Sequence, residues 1–347
     1  MSTSWTTWAV SWTVEPLNIF SKILFLDPRV KDWISVSSPA LALTTIFIYL
    51  LSIYIFLPAY MENRTPYNLK TFLYFYNIFQ IVYCLSLIYG IATSGLTLFC
   101  QPVDYSTDKQ AMRTLICLYY TYVLKGIEFI ETVVFILRKK YNQVSPLHVY
   151  HHVSTFVLLW IMVKFVGGGM VAFQIAVNSV VHTLMYSYYF LASLGEEWQK
   201  KLEKWKPRLT VCQMVQFAVL IVHSLQLLYP DCHMPTELLV IYLPDVFVVF
   251  YMFWEFYRKN YHDEKKDWVF FCTNTCIPNK ILIWRRTFLF PVIMTLFDAK
   301  LEWTSDTTGF IISFVTIFID GISYKKKQKL WDGQVCGRLN CYGVYCD

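Results

Sequence analysis

Seven stretches of the chain stay predominantly apolar for about 20 residues or more, the length that crosses the hydrocarbon core of a bilayer. They run over 39–61, 71–98, 112–137, 147–166, 170–194, 209–228 and 238–257. The pattern predicts an all-α polytopic membrane protein with seven transmembrane helices. The polar breaks between the stretches sort by charge. One set carries Arg64 and Lys70; Arg138, Lys139 and Lys140; Lys200, Lys201, Lys204, Lys206 and Arg208; and Arg258 and Lys259. The other carries Lys109, the edge residues Arg113 and Lys164, and nothing basic over 229–237. Basic loops stay in the cytosol, so the N-terminus is expected in the lumen and the end of the seventh span in the cytosol. Gly167-Gly168-Gly169 reads as the tight reversal between spans four and five, because glycine accepts backbone angles closed to other residues.

Composition fits this reading. The chain is 56% hydrophobic and 18% aromatic, with only 16% charged residues; a soluble domain carries about 25% charged residues. The net charge of +6 is spread over short loops, which is not the clustered pattern of a nucleic-acid-binding surface. The N-terminus has no basic n-region or small-residue cleavage site of a secretory signal, and no internal repeat is evident. Asn63-Arg64-Thr65 has the glycosylation pattern, but it falls in a loop expected in the cytosol and is expected to carry no sugar.

Four spans carry polar groups that a purely structural bundle would avoid. His148, His151 and His152 open span four, with Ser145 and Pro146 ahead of them as N-cap and first helical residue. The spacing i, i+3, i+4 puts the three imidazoles on one helix face. Span three carries Lys125, Glu128, Glu131 and Thr132, also on one face. Span five carries Asn178, His182, Met185, Tyr186 and Tyr189; span six carries Thr210, Gln213 and Gln216. A single Asn or Gln in a span is adequately explained by interhelical hydrogen bonding. Four histidines with a lysine and two acids are not, because ionisable groups at membrane depth are costly and mark chemistry or transport.

These motifs, in this order, resemble the ELO family of membrane fatty acid elongases. His148-Val149-Tyr150-His151-His152 is similar to its HxxHH box and Lys125-Gly126-Ile127-Glu128-Phe129-Ile130-Glu131-Thr132 to its KxxExxDT motif. The segment from Asn178 through His182 to Met185-Tyr186 is similar to NxxHxxMY, and Leu209-Thr210, Gln213, Gln216 and Phe217 to LTxxQxxQF. Asn63–Tyr67 and Leu137–Lys140 also fit, and the resemblance runs from about residue 30 to 262. Two features depart from it. Glu131 stands where the family has aspartate, one methylene longer in a site whose positional tolerance is tight. The chain also continues for about 85 residues beyond span seven, where the family normally ends.

The resemblance implies a six-helix barrel around a narrow tunnel open to the cytosol, with the first span outside it, in the endoplasmic reticulum membrane. It implies condensation of malonyl-CoA with a long-chain acyl-CoA to give 3-ketoacyl-CoA, CoA and carbon dioxide, without a metal or other cofactor. In that picture His151 is the nucleophile and His182 its partner in enolate or proton chemistry. His148 and His152 orient or polarise, Lys125 and Glu131 bias the imidazole charge, and Asn178 and Gln213 donate hydrogen bonds. Glu128, Tyr186 and Tyr189 are expected to line the substrate site. Lys204, Arg208 and Arg258 are expected near the CoA phosphates, since clustered cations suit phosphates. No dinucleotide or P-loop pattern appears, so ketoacyl reductase, dehydratase and enoyl reductase partners must complete the elongation cycle.

A di-iron membrane desaturase or hydroxylase is the alternative enzyme class. Such enzymes need about eight histidine ligands, against seven histidines in the whole chain, and His223, His233 and His262 fall away from the box. A seven-span receptor or transporter gives no reason to cluster four histidines near the cytosolic half.

Residues 1–265 are expected to form the condensing domain, with 266–347 as an extension dispensable for the chemistry. Within the extension, 288–297 and 310–319 are apolar for only half a span, which suits interfacial segments. Cys100 and Cys232 fall just beyond lumenal span ends, and family members similarly carry cysteines at these two places; the lumen is oxidising, so they are expected to form a disulfide.

Overall fold

The computed structural model describes residues 26–235 and 238–262; the apolar segments 288–297 and 310–319 and the rest of the extension lie outside them. Seven long helices make up most of the described chain. We label them α1 (Pro39–Met61), α2 (Lys70–Ala92), α3 (Lys109–Leu137), α4 (Pro146–Phe165), α5 (Val171–Ser193), α6 (Trp205–Ser224) and α7 (Leu238–Tyr257). No strand occurs among the described residues.

Local chemistry sets the helix ends. The Ser38 hydroxyl caps α1 by accepting the Ala40 N–H at 3.2 Å, with Pro39 in the first position. Further along, α1 widens into a π turn at Ser52–Phe56 just ahead of Pro58, whose missing N–H breaks the regular ladder. Ser145 caps α4 in the same way, accepting the His148 N–H at 3.2 Å, so the histidine box lies on the first two turns. Between α4 and α5, Gly169 takes φ +59° and the Met170 N–H donates to the Gln101 carbonyl at 3.1 Å. A Cβ on Gly169 would come within 2.6 Å of that carbonyl, so the reversal needs glycine on two counts. The sequence expected a second span to residue 98, but α2 ends at Ala92 and an irregular loop carries the chain to Cys100.

Among the described residues, five helices are long and apolar enough to cross a membrane: α1, α2, α4, α6 with its 3-10 extension to Leu228, and α7. Helices α3 and α5 are as long but more polar. Their polar residues face inward: Lys125, Glu128, Thr132, Ser179 and His182 are all buried. The sequence count of seven apolar spans and this count of five differ because α3 and α5 hide their polar groups against partners rather than lacking them.

Neighbour relations follow a cycle. α2 packs along α5 and against α3; α3 packs on α4, α4 on α7, α7 on α6, and α6 on α5. α1 packs on α3 and α4. One end of the bundle is tied together. Cys100 and Cys232 form a disulfide with Cα atoms 5.7 Å apart. Nearby, Arg29 pairs with Asp27 at 2.6 Å, the two side chains being 3% and 0% exposed. Arg29 also donates to the Asp104 carbonyl at 2.8 Å and the Gly167 carbonyl at 3.0 Å.

Candidate active site

The site forms where α3, α4 and α5 meet, and α3 and α4 approach closely there. Gly126 faces the Phe156 ring so tightly that a Cβ would lie 3.3 Å from it. That approach brings the α3 acids against the histidine box.

Glu128 is the hub. Lys125 Nζ donates to both of its carboxylate oxygens, at 2.8 and 2.9 Å. His182 Nδ1 stands 3.5 Å from Oε1, and His152 Nδ1 stands 3.9 Å from Oε2. Lys125 Nζ also lies 3.5 Å from His182 Nε2. Lys125 and Glu128 are 3% and 1% exposed. A buried pair of this kind offsets its desolvation only through good geometry and further hydrogen bonds, and both are present. Glu128, expected at the substrate surface, instead has its carboxylate enclosed by the site's own side chains.

Glu131 forms the second node. Its Oε1 accepts the hydroxyls of Tyr76 at 3.1 Å and Tyr186 at 2.5 Å, and its Oε2 faces His152 Nε2 at 3.7 Å. Gln80 in turn donates to the Tyr76 hydroxyl at 2.7 Å. Thr132 forms the third node, sharing hydrogen bonds with His148 Nε2 at 2.8 Å and with the Tyr49 hydroxyl at 2.9 Å. The His148 and His152 rings stack at a tilt, centroids 4.2 Å apart.

His151 differs from its neighbours. It is half-buried and, among the described residues, its imidazole makes no hydrogen bond and has no carboxylate within 4 Å, whereas the His152 imidazole, also without a hydrogen bond, faces two. Its ring lies edge-on to His152 at 5.6 Å and to Phe253 of α7 at 6.4 Å. Lys125, His182, Glu128 and His148 are near enough to act on it electrostatically.

The remaining expected residues fall in three places. Asn178 is half-buried, one turn from His182 on α5, and makes no side-chain hydrogen bond among the described residues. Gln213 Nε2 approaches Met185 Sδ at 3.4 Å, and Tyr189 lies outermost beside Tyr186, 42% exposed. Lys204, Arg208 and Arg258 are exposed at the end of the bundle nearest the histidine box. Arg208 rests on the Trp205 ring at 4.9 Å. His223 is remote from the box, stacked on Phe173 at 4.0 Å, and His233 lies in an exposed loop. Among the described residues no three His, Cys, Asp or Glu side chains converge in a way that could hold a metal ion.

The motif reading missed Tyr49, Tyr76, Gln80 and Asp245. Tyr76 and Gln80 are four apart on α2, on one face, and Tyr49 stands well inside α1 rather than at the interface where tyrosines gather. Asp245 is an acid inside an otherwise apolar run, with its carboxylate accepting the Tyr150 hydroxyl at 2.5 Å. Their signal was position along the span rather than a motif.

Comparison with known proteins agrees with the motif order. Residues 34–268 match the family described as ELO: GNS1/SUR4. The chain is 38% identical to very long chain fatty acid elongase 4 of Mus musculus over 245 residues, 70% of this chain and 78% of that protein. It is 38% identical to very long chain fatty acid elongase 7 of Drosophila melanogaster, over 68% of this chain and 73% of that one. Very long chain fatty acid elongase 1 of Mus musculus is 33% identical over 69% of this chain and 88% of its own length. The helices, the order of the polar motifs and these matches together make the chain a multi-pass member of the ELO (GNS1/SUR4) family.

Proposed function

We propose that this protein is a fatty acid elongase, a 3-ketoacyl-CoA synthase that extends a long-chain acyl-CoA with two carbons from malonyl-CoA. Family membership and the relatives' names support the reaction class. The observation that carries the histidine-centred mechanism is the contrast inside the box. His148 is hydrogen-bonded to Thr132 and His152 stands 3.9 and 3.7 Å from the Glu128 and Glu131 carboxylates, while His151 has neither a hydrogen bond nor a carboxylate within 4 Å among the described residues. An uncommitted imidazole is free to attack.

In this reading His151 attacks the thioester carbonyl of acyl-CoA, the C–S bond breaks, and CoA leaves as the thiol while an acyl-imidazole remains. Malonyl-CoA then loses carbon dioxide, and the electron pair of the broken C–C bond forms the enolate carbon. That carbon attacks the acyl group, a C–C bond forms as the acyl C–N bond breaks, and the imidazole takes up a proton from solvent as it is released with 3-ketoacyl-CoA. His182, 3.5 Å from both Lys125 Nζ and a Glu128 oxygen, is oriented by that ion pair and is proposed to present an N–H to the developing enolate oxygen. Asn178, one turn away, has an amide to spare for the same oxygen. Tyr186 and Tyr189 are proposed to line the acyl path and Gln213 to help orient it.

The cycle of helix neighbours supports a barrel of α2–α7 around an acyl tunnel, with α1 outside, and all seven helices crossing the membrane. Helices α3 and α5 cross because their partners bury their polar faces. Basic loops at the histidine-box end support a cytosolic mouth and a lumenal N-terminus in the endoplasmic reticulum. Lys204, Arg208 and Arg258 are proposed to meet CoA phosphates there. The condensing domain is residues 1–265, with 266–347 dispensable, and the reductases and dehydratase of the cycle are separate partners. The di-iron alternative draws no support from His223 and His233, which stand apart from the box.

The test is malonyl-CoA-dependent condensation by the purified membrane enzyme with a panel of acyl-CoAs. Radiolabel from malonyl-CoA appearing in a 3-ketoacyl product supports the reading; folded protein that leaves malonyl-CoA intact with every acyl-CoA overturns it.

A further inference from the structure

α4 carries polar anchors on two sides, and only one belongs to the site described above. With about 100° of turn per residue, His148 and His152 share the face toward α3. Tyr150 and Ser154 share a face roughly 160–200° away, toward α7. His151 falls in the angular gap between these faces. The first face is fixed by Thr132, Glu128 and Glu131. The second is fixed by the Asp245 carboxylate of α7, which accepts the Tyr150 hydroxyl and is also reached by the Ser154 hydroxyl. Around it Tyr150, Tyr242 and Phe253 pack against the cluster of Phe217, Val246 and Val249, so the Asp245 carboxylate supplies the directional contact on that side.

Asp245 is costly at this depth. Its helix is otherwise apolar from Leu238 to Phe253 apart from the tyrosines at 242 and 251, and a carboxylate within a span needs a reason. A packing role alone would be met more cheaply by leucine or valine. What a carboxylate adds is a charge-assisted hydrogen bond of fixed direction.

We propose that Asp245, acting through Tyr150, is a positioning residue that sets the direction in which α4 presents His151. The two flanks then work as a clamp. With both anchored, the His151 ring points between α3 and α7 toward Phe253; with the α7 flank released, α4 is free to roll and the imidazole loses its line of attack. Near-attack geometry is steep in distance and angle, so a small roll is enough to slow chemistry while leaving substrate affinity intact.

The proposal rests on the reading of His151 as nucleophile, and the experiment separates the two. Tyr150→Phe, Asp245→Val, the double variant, Asp245→Asn and His151→Ala are compared in the full-length detergent-purified enzyme, with kcat, KM for acyl-CoA and melting temperature recorded for each. Asp245→Val is expected to lower kcat about 10- to 30-fold and Tyr150→Phe by less, since Ser154 still reaches the carboxylate, both with KM within about twofold; the double variant is expected to be no worse than Asp245→Val, because the carboxylate is already gone there. Asp245→Asn keeps an acceptor oxygen for Tyr150 and is expected to retain most of kcat. Additive losses, a loss confined to KM or melting temperature, or Asp245→Asn behaving like Asp245→Val would overturn the positioning role. If His151→Ala stays active, it is the nucleophile assignment that fails; if it is inactive while Tyr150→Phe keeps wild-type kcat, the clamp alone fails.

Discussion

The two ends of this bundle are held by different chemistry. At one end a disulfide joins Cys100 to Cys232, and Arg29 gathers Asp27, Asp104 and Gly167 around one buried guanidinium. At the other, the helices close over the histidine box and carry exposed basic loops, with Lys204 and Arg258 in no ion pair among the described residues. The first end is tied by a covalent bond; among the described residues the second is not. The difference is one of chemistry, a covalent tie with a buried ion pair at one end and exposed cations at the other. It also separates stability from turnover: changes at the tied end should unfold the protein, and changes at the box should stop it.

The largest effect is expected at the box. His151→Ala should lower condensation by at least about 1,000-fold, as loss of a nucleophile does, with the melting temperature almost unchanged because His151 makes no side-chain hydrogen bond to lose. A circular-dichroism melt beside the turnover assay checks both halves. A variant that turns over normally would remove His151 from the mechanism.

The tied end should respond oppositely. Replacing Cys100 and Cys232 by serine frees a closed loop with a sequence separation of 132 residues; the expected cost is about 2–4 kcal/mol, below the full chain-entropy figure because real disulfides usually deliver less. Turnover per folded molecule should hold within about twofold, since the bond is remote from the chemistry. Activity falling before stability would mean that the two ends are coupled, and the division drawn above would not stand.

How much of this was legible in the chain depends on which force set each feature. The long helices, the His box on the first turns of α4 and the disulfide followed from apolar run length, Ser145-Pro146 capping and compartment, all local signals. The end of α2 was misplaced because Leu96, Leu98 and Phe99 prolong an apolar run that has already left the helix. Glu128 was expected as a substrate contact; both its oxygens accept Lys125 and it faces His182 and His152, an arrangement no motif spelled out. Tyr76, Gln80, Tyr49 and Asp245 went unseen because their roles come from packing between distant segments, which periodicity does not encode.

Glu131 shows the same limit and gives a sharper test of the box. Against the family motif, the longer acid looked like a departure from a site tuned for aspartate. In the structure the longer arm reaches two tyrosine hydroxyls with one oxygen and faces His152 with the other. Glu131→Asp withdraws the carboxylate by about one bond length, 1.5 Å, which breaks at least one of these contacts. The expected loss of kcat is about tenfold, the worth of one hydrogen bond to a charged group. Tyr76→Phe should give a comparable loss, and undiminished activity in Glu131→Asp would show that the tyrosines adapt to the shorter acid.

The smallest effect tests the open end. If CoA phosphates meet free cations there, Lys204→Gln with Arg258→Gln should raise KM for malonyl-CoA about three- to fivefold, the scale of exposed charge contacts, and the rise should shrink as salt screens the pair. The control lies in the same loops. Lys201 is bound to Glu197 and Lys259 to Glu255, at 2.6 and 2.7 Å, so each already spends its charge on a neighbour one helical turn away. Lys201→Gln with Lys259→Gln should therefore leave KM within about 1.5-fold, since both pairs are exposed and contribute little. Equal effects from the two double variants would reduce these loops to topology signals. A shift confined to Lys204 and Arg258 would mark where CoA docks on a surface whose charges otherwise look alike.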